Sequence, residues 1–406
     1  MKKDKFYLKK LIVLFVAVIV ALTGFGACSP IKEITEAAEL TTQDIPSWED
    51  TIISLLEINR AMEEAMSQGE TELTFNAADI GEEELKHIGD NLSTFWGKPT
   101  RYSINKEFED VEGIIPGRSV VVRNITNYFE LSSNFYVYDF IRNGTPIPDG
   151  KEPARRIANL VPGIAGEIFT DTNASDYDKT LAAHDWLVAN IDYDESTPGI
   201  SEENGSYGAI VLRRTMCQGY SEALELLLRC YTDVEITQMV GEALNNGNVS
   251  ASEEFSESQS GEWGGHAWNA VKFEGDWYQI DTTFNDPRGN LPGQISHFYF
   301  GQTDEVMAKN HRWAAEYFPV SDTQNFLFFR KSGLFAENWD AFQTMFTGIL
   351  TDNPVTSIEI AIQGARIDEE NIQFIYEIRN EIEEIRWSEQ IWNDICVNSI
   401  ALIYAG

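Results

Sequence analysis

At 406 residues, 43% of them hydrophobic and 12% aromatic, the chain is long enough for two or three domains with sizeable cores, and its composition excludes a disordered protein. Its 65 acidic residues against 30 basic ones give a formal charge of −35, which argues against nucleic acid as a partner and otherwise reads as a solvated acidic surface. Four cysteines are too few for a disulfide-framed module, so stability must come mainly from packing.

Lys2, Lys3, Lys5, Lys9 and Lys10 precede an apolar run from Leu11 to Leu22. That run is short for a membrane span and fits the core of an export signal over residues 1–27. Cys28, directly after Gly26 and Ala27, resembles the lipid-attachment site of a bacterial lipoprotein. Phe25 departs from the aliphatic residue usual three before that cysteine, which leaves ordinary signal cleavage or a retained helix as alternatives. All three place the rest of the chain outside the cytoplasm, on the extracellular face of a bacterial membrane in the lipoprotein reading. Residues 28–47, rich in Thr, Glu and Ala, read as a tether.

Folded structure is expected from about Trp48. TIISLLEINRAMEEAMSQG reads as a helix, TELTFNA as a strand, EEELKHIGDNLSTFWG as a helix and RYSINKEFEDV as a strand, with SVVVRNI and FYVYDFI as further strands. The C-terminus repeats the order helix, strand, helix, strand in WDAFQTMFTGIL, TSIEIAI, EENIQFIYEIRNEIEEI and VNSIALIYA. This suggests two related small α+β modules, over 48–165 and 321–406, flanking a central domain over 166–320.

In the central domain, YDKTLAAHDWLVANIDYD reads as an amphipathic helix. His184 lies on its apolar stripe, as a hydrogen-bonded core histidine would. Cys217 stands at the start of the helix CQGYSEALELLLRCY, where the helix dipole favours thiolate over thiol. Cys230 lies roughly 20 Å further along that axis and cannot pair with Cys217, although it could pair with Cys396. A strand, EITQMVGEAL, leads to a Ser-, Glu- and Gly-rich segment within 242–264 that lacks periodicity and reads as a loop, a lid over a cleft being one role for it. The hairpin GGHAWNAVKFEGDWYQIDTTFNDP follows, with His266 on one arm and Asp281 on the other.

Cys217, His266 and Asp281 supply a nucleophile, a base and an orienting carboxylate. One difficulty is geometric. If Gly275 and Asp276 form the turn, Asp281 pairs opposite Ala270 and a flat hairpin leaves His266 about 13 Å away. The triad then requires a bulge, strong coiling or a longer turn. The five histidines are scattered along the chain and form no metal-ligand motif, so no cofactor is expected.

TMCQGYSEAL followed by GGHAWNAVKFEGDWYQIDTTFNDP resembles the core of the transglutaminase-like superfamily in its bacterial extracellular branch. The likeness runs from about Tyr177 to Trp313, with HDWLVANIDYD upstream and SHFYFGQTDEVMAKNHRW downstream. The resemblance implies an α+β, papain-like fold, a helix carrying the nucleophile packed on an antiparallel sheet. It implies Cys217 as nucleophile, His266 as base and acid, and Asp281 as orienting carboxylate. An oxyanion hole would use the Cys217 N–H and a donor from the preceding loop, for which Tyr207 is the candidate. The expected activity is acyl transfer through a Cys217 thioester on peptide or protein substrates at the cell surface, with hydrolysis favoured over cross-linking. A non-catalytic surface scaffold is the competing class.

Overall fold

The computed structural model describes residues 51–404 apart from 82–83, 85–93, 195, 197–201, 246–261, 287–294, 316–317 and 353–354. The expected export signal, Cys28, the tether, most of the helix expected over EEELKHIGDNLSTFWG, and the centre of the segment 242–264 lie outside the described residues. No helix among the described residues is long and apolar enough to cross a membrane. The chain divides into two compact units, one ending at Ser132 and one beginning at Ser133, so the second unit starts ahead of the border at 165 drawn from sequence.

The first unit contains β1 (Thr51–Ile52), α1 (Leu55–Ser67), β2 (Glu72–Ala78), β3 (Gly97–Ile115) and β4 (Arg118–Leu131). Ser54 starts α1 by accepting the Glu57 N–H at 3.2 Å, a standard N-cap that satisfies one orphan donor. The sheet order is β1-β2-β4-β3, with β1 parallel to β2 and the other pairs antiparallel.

The second unit opens with α2 (Ser133–Asn143), α3 (Glu152–Ile168) and α4 (Asp176–Asn190), followed by β5 (Asp192–Tyr193), β6 (Arg214–Thr215) and α5 (Cys217–Tyr231). FYVYDFI therefore lies in α2, not in a strand. Aromatic and β-branched residues gave it strand-like propensity, but Asn134, Phe135 and Val137 are buried in a helix that packs on α5. The central sheet has the order β10-β9-β8-β7-β11 and is antiparallel throughout, built from β7 (Ile236–Asn245), β8 (Glu262–Phe273), β9 (Asp276–Ile280), β10 (Phe300–Gln302) and β11 (His311–Arg312). Helix α5 packs on β7 and β8 and against α4. It is buried almost all round, from Gly219 through Leu228, rather than on the single face its periodicity suggested. A helix beginning at Cys217 and packed on an antiparallel sheet is the α+β, papain-like core that the resemblance implies.

The unit continues through α6 (Asp304–Met307), α7 (Leu327–Lys331), β12 (Phe335–Ala336), α8 (Trp339–Asp352), β13 (Ser357–Gln363), α9 (Gln373–Ile378), β14 (Ile382–Trp392) and β15 (Ile395–Tyr404). The helix expected over EENIQFIYEIRNEIEEI stops at Ile378, and the rest becomes β14. There Ile382 and Ile385 are buried opposite β15 while the Glu residues between them face solvent. The strand order β12-β13-β15-β14, with β12 parallel to β13 and the remaining pairs antiparallel, repeats that of the first unit's sheet. In both sheets a helix, α1 or α8, joins the two parallel strands.

Gly241 of β7 lets β11 close the edge of the central sheet, because a Cβ there would lie 2.3 Å from the Arg312 carbonyl oxygen and 3.0 Å from the Trp268 ring. Gly241→Ala should destabilise the second unit by about 1–3 kcal/mol, the usual range for overpacking. Thermal or denaturant unfolding followed by tryptophan fluorescence checks this, and an unchanged midpoint would refute it.

Candidate active site

Helix α5 begins at Cys217 with Met216 as an N-cap that offers no side-chain bond, and its first turn contains no acidic residue. The positive end of the helix is therefore left for the sulfur. The approach is tight: a Cβ on Gly219 would stand 2.1 Å from Thr215 Oγ1 and 2.7 Å from the Gly205 carbonyl oxygen, so glycine there lets the 202–208 loop abut the helix start. Beneath the helix start, buried Glu222 accepts the Ser206 N–H at 2.9 Å, Gln218 Nε2 at 2.7 Å and Asn134 Nδ2 at 3.1 Å.

The β8–β9 hairpin removes the difficulty seen in the sequence, and without a bulge. Its two-residue turn is Glu274-Gly275, both at positive φ (55° and 100°), and Phe273 pairs with Asp276. This is one residue earlier than the Gly275-Asp276 turn expected, because Glu274 accepts the left-handed region that a primed turn requires. The register consequently moves by two: Ala270 pairs with Gln279, and Asn269 with Ile280. Continued by one residue, it sets Asp281 against Trp268, leaving His266 only one same-face step away, within diagonal side-chain reach. His266 Nε2 and Asp281 Oδ2 are 2.7 Å apart.

Asp281 is fully buried just beyond β9, where its N–H donates to the Tyr299 carbonyl at 3.0 Å. Burial would raise its pKa, but His266 and His311 together hold the carboxyl well below the usual range. His311 Nε2 lies 2.9 Å from the same Oδ2, and the Phe284 N–H donates to Oδ1 at 3.0 Å. His266 is packed among Trp268, Phe284 and His311. Burial lowers its pKa, yet the charges of Asp281 and Cys217 raise it to about 10. The Cys217 thiol is pushed up by burial and pulled down by the His266 charge, a hydrogen bond to His266 and the Ala267 N–H, with a net lowering. With His266 Nε2 committed to Asp281, its Nδ1 is the atom left for the sulfur. A thiolate–imidazolium pair is the state this arrangement favours.

The structure thus brings Cys217, His266 and Asp281 together. The hydroxyl of Tyr207, the oxyanion candidate, accepts from Arg156 Nη1 at 3.1 Å. Reading along the sequence missed His311, which appeared there only as part of the stretch NHRW. It also missed Glu222, whose sole signal was its place one turn beyond Cys217 on the same helix.

Four of the five histidines, scattered in sequence, gather around carboxylates in two groups: His266, Asp281 and His311, and His184, Asp185 and His297. In the second group His184 is the buried, hydrogen-bonded core histidine expected. Asn285 Oδ1 accepts the Tyr299 N–H at 2.9 Å, so its amide nitrogen, 2.9 Å from His184 Nε2, must donate to that ring. The His184 proton therefore sits on Nδ1, which donates to Asp185 Oδ1 at 2.8 Å. A cation ligated by Nδ1 would reverse that tautomer and set an N–H against the Asn285 amide, so these residues do not fit a metal. His297 meets Asp185 Oδ1 through Nε2 at 3.0 Å and Glu359 Oε2 through Nδ1 at 3.2 Å. Burial lowers its pKa, but the two carboxylates raise it to about 9, making it a cationic link from α4 to β13. Cys217, Cys230 and Cys396 are all free thiols, so no Cys230–Cys396 bond forms.

Residues 163–282, which include Cys217, His266 and Asp281, match the family model of the transglutaminase-like superfamily core. No curated protein matches the chain. Several solved structures resemble it, among them these three. The first, a TGase, is 13% identical with a TM-score of 0.24, and the match covers 60% of this chain and 60% of the other, so the chain spans less than two thirds of that relative. The second is a candidate cysteine protease from Cytophaga hutchinsonii, 14% identical with a TM-score of 0.24, covering 55% and 79% of the two chains. The third is the periplasmic domain of TgpA from Pseudomonas aeruginosa, 15% identical with a TM-score of 0.22, covering 42% and 58%. At scores this low the family model alone carries the assignment: the chain contains a transglutaminase-like domain over 163–282.

Two outcomes test these electrostatics. Removing the imidazole in His266→Ala takes away the main force lowering the Cys217 thiol, so alkylation of Cys217 by iodoacetamide at pH 7 should slow by at least about tenfold. Residue-resolved mass spectrometry measures that rate. The His297 link should stabilise the second unit fully below pH 6.5, the ordinary histidine value, and be lost as pH rises through about 9, because its folded pKa lies above its unfolded one. Its contribution should be about 1–3 kcal/mol and should shrink in Glu359→Gln, which leaves Asp185 as the remaining partner; unfolding midpoints at pH 6 and pH 10 would compare the two.

Proposed function

We propose that this protein is a cysteine-dependent acyl-transfer enzyme that cleaves peptide or amide bonds through a thioester on Cys217. The observation that carries this reading is the line of contacts from the Cys217 sulfur to His266, and from His266 Nε2 to the buried Asp281 carboxylate at 2.7 Å. The thiolate attacks the substrate carbonyl carbon, forming a C–S bond and an oxyanion that the Cys217 N–H at the helix start can receive. His266 Nδ1 gives its proton to the departing nitrogen as the C–N bond breaks, releasing an amine and leaving the thioester. Water then attacks the thioester carbonyl, His266 takes the water proton, and collapse releases a carboxylic acid and the thiolate. Asp281 stays ionised throughout and stabilises the imidazolium each time it forms.

An amine in place of water would complete cross-linking, since both outcomes share the first half-reaction. Hydrolysis is the reading put forward, with peptide or protein at the cell surface as substrate. Export and attachment through Cys28 belong to the same proposal and rest on the lysine-led apolar segment at residues 2–22.

Trapping the acyl-enzyme tests the activity. Incubating the full chain with a pool of cell-surface peptides should leave an adduct of acyl mass on Cys217 in an acid-quenched sample, and Cys217→Ala should carry none. A folded protein that forms no adduct with such pools would sink the enzymatic reading in favour of a scaffold.

A further inference from the structure

Asp281 receives a second imidazole that the reaction scheme leaves idle. His311 is as fully enclosed as Asp281 itself, and its Nε2 lies 2.9 Å from the oxygen that His266 Nε2 meets at 2.7 Å. Since the carboxylate is ionised, both rings must present an N–H to it. Both cannot be charged: two imidazoliums with ring centres 5.4 Å apart would share one buried counter-ion. His266 faces the Cys217 sulfur, which favours the charge there, whereas burial lowers the pKa of His311.

The far side of the ring is held as well. His311 Nδ1 lies 2.7 Å from Asn310 Oδ1, and Asn310 Nδ2 donates to the Tyr299 hydroxyl at 2.7 Å. Tyr299 is itself fixed at both backbone groups, its N–H on Asn285 and its carbonyl on the Asp281 N–H. The two-residue strand β11 that delivers His311 is held to β7 at Ala243 and Glu242, with the Leu244 N–H on the Asn310 carbonyl at 2.9 Å.

We infer that His311 is a positioning residue: its Nε2–H fixes Asp281 Oδ2, while the Phe284 N–H fixes Oδ1, so that the carboxylate holds His266 turned toward the Cys217 sulfur. This rests on the thiol-enzyme reading above. The groups facing the Cys217–His266 pair are Asp281 from the end of β9, His311 from β11, and Tyr299 ahead of β10. Trp268 and Phe284, the remaining rings against His266, do not titrate.

The test needs no substrate. The rate of iodoacetamide alkylation of the full chain, read at Cys217 by mass spectrometry across pH 4 to 10, reports the acid limb of the thiolate–imidazolium pair. His311→Phe should move that limb to higher pH by about one unit, an approximately tenfold lower rate at its foot. His311→Gln keeps a neutral N–H donor and should restore most of the limb. A merely structural histidine would lower the melting temperature in both variants and leave the limb where it is; an unmoved limb in folded His311→Phe overturns the inference. If His311→Phe does not fold, Asn310→Leu, close in shape, removes the side-chain contact that holds His311 Nδ1 and should shift the limb the same way, and an unmoved limb there overturns it equally. Failure of the enzymatic reading is separately visible, as a wild-type Cys217 with a depressed acid limb that forms no acyl adduct.

Discussion

The Asp281 carboxylate is the constraint around which the central domain is arranged. An ionised group in the protein interior is tolerated only where donors replace water, and here three converge on two oxygens: His266 and His311 on Oδ2 and the Phe284 N–H on Oδ1. Each donor comes from a different part of the fold. His266 depends on the register of β8 against β9, Phe284 on the turn that follows β9, and His311 on a two-residue edge strand that Gly241 allows to close. Loss of any of them leaves a buried charge short of a partner, so local errors in the sheet become errors at the sulfur.

The Cys217 side has a comparable foundation. Glu222 lies under the first turn of α5, where burial raises its pKa while Ser206, Gln218 and Asn134 supply donors. Its contacts draw the 202–208 loop and α2 onto the start of the helix that carries Cys217. Tyr220, one turn in, places its hydroxyl 2.5 Å from Asp286 Oδ2 and 2.9 Å from the Ile191 carbonyl, tying the same helix to the segment after Asp281. The helix and hairpin are therefore joined by buried polar contacts as well as by apolar packing. The second histidine group extends this outward, since His297 is bonded to Asp185 of α4 and to Glu359 of β13. The C-terminal sheet is thus coupled by charge to the helix next to α5.

The repeat suggested by the recurring order of helices and strands is a repeat of topology. A short strand, a helix, a parallel neighbour and an antiparallel hairpin recur in the sheets β1-β2-β4-β3 and β12-β13-β15-β14. TELTFNA and SIEIAI are the central strands of the two sheets, which is where a binary pattern is most constrained because both edges must pair. The divergence between them falls in the hairpins, where β3 carries several irregularities against β4 and β14 carries one against β15.

Much of this was legible in the sequence where the signal is local. A cysteine at a helix start, alternating arms around a turn and a core histidine on an apolar stripe each reflect constraints within some twenty residues, and chain periodicity records them. Signals failed where propensity and packing disagreed. FYVYDFI has the residues of a strand but was claimed by a helix contacting α5, and EIRNEIEEI has those of a helix but was claimed by pairing with β15. The sequence by itself determined the identities and order of Cys217, His266 and Asp281, because chemistry needs those residue types whatever the geometry. Only the tertiary structure decided how they meet. A turn displaced by one residue changes cross-strand register by two, and a histidine 30 residues beyond Asp281 reaches it through sheet pairing that leaves no local trace.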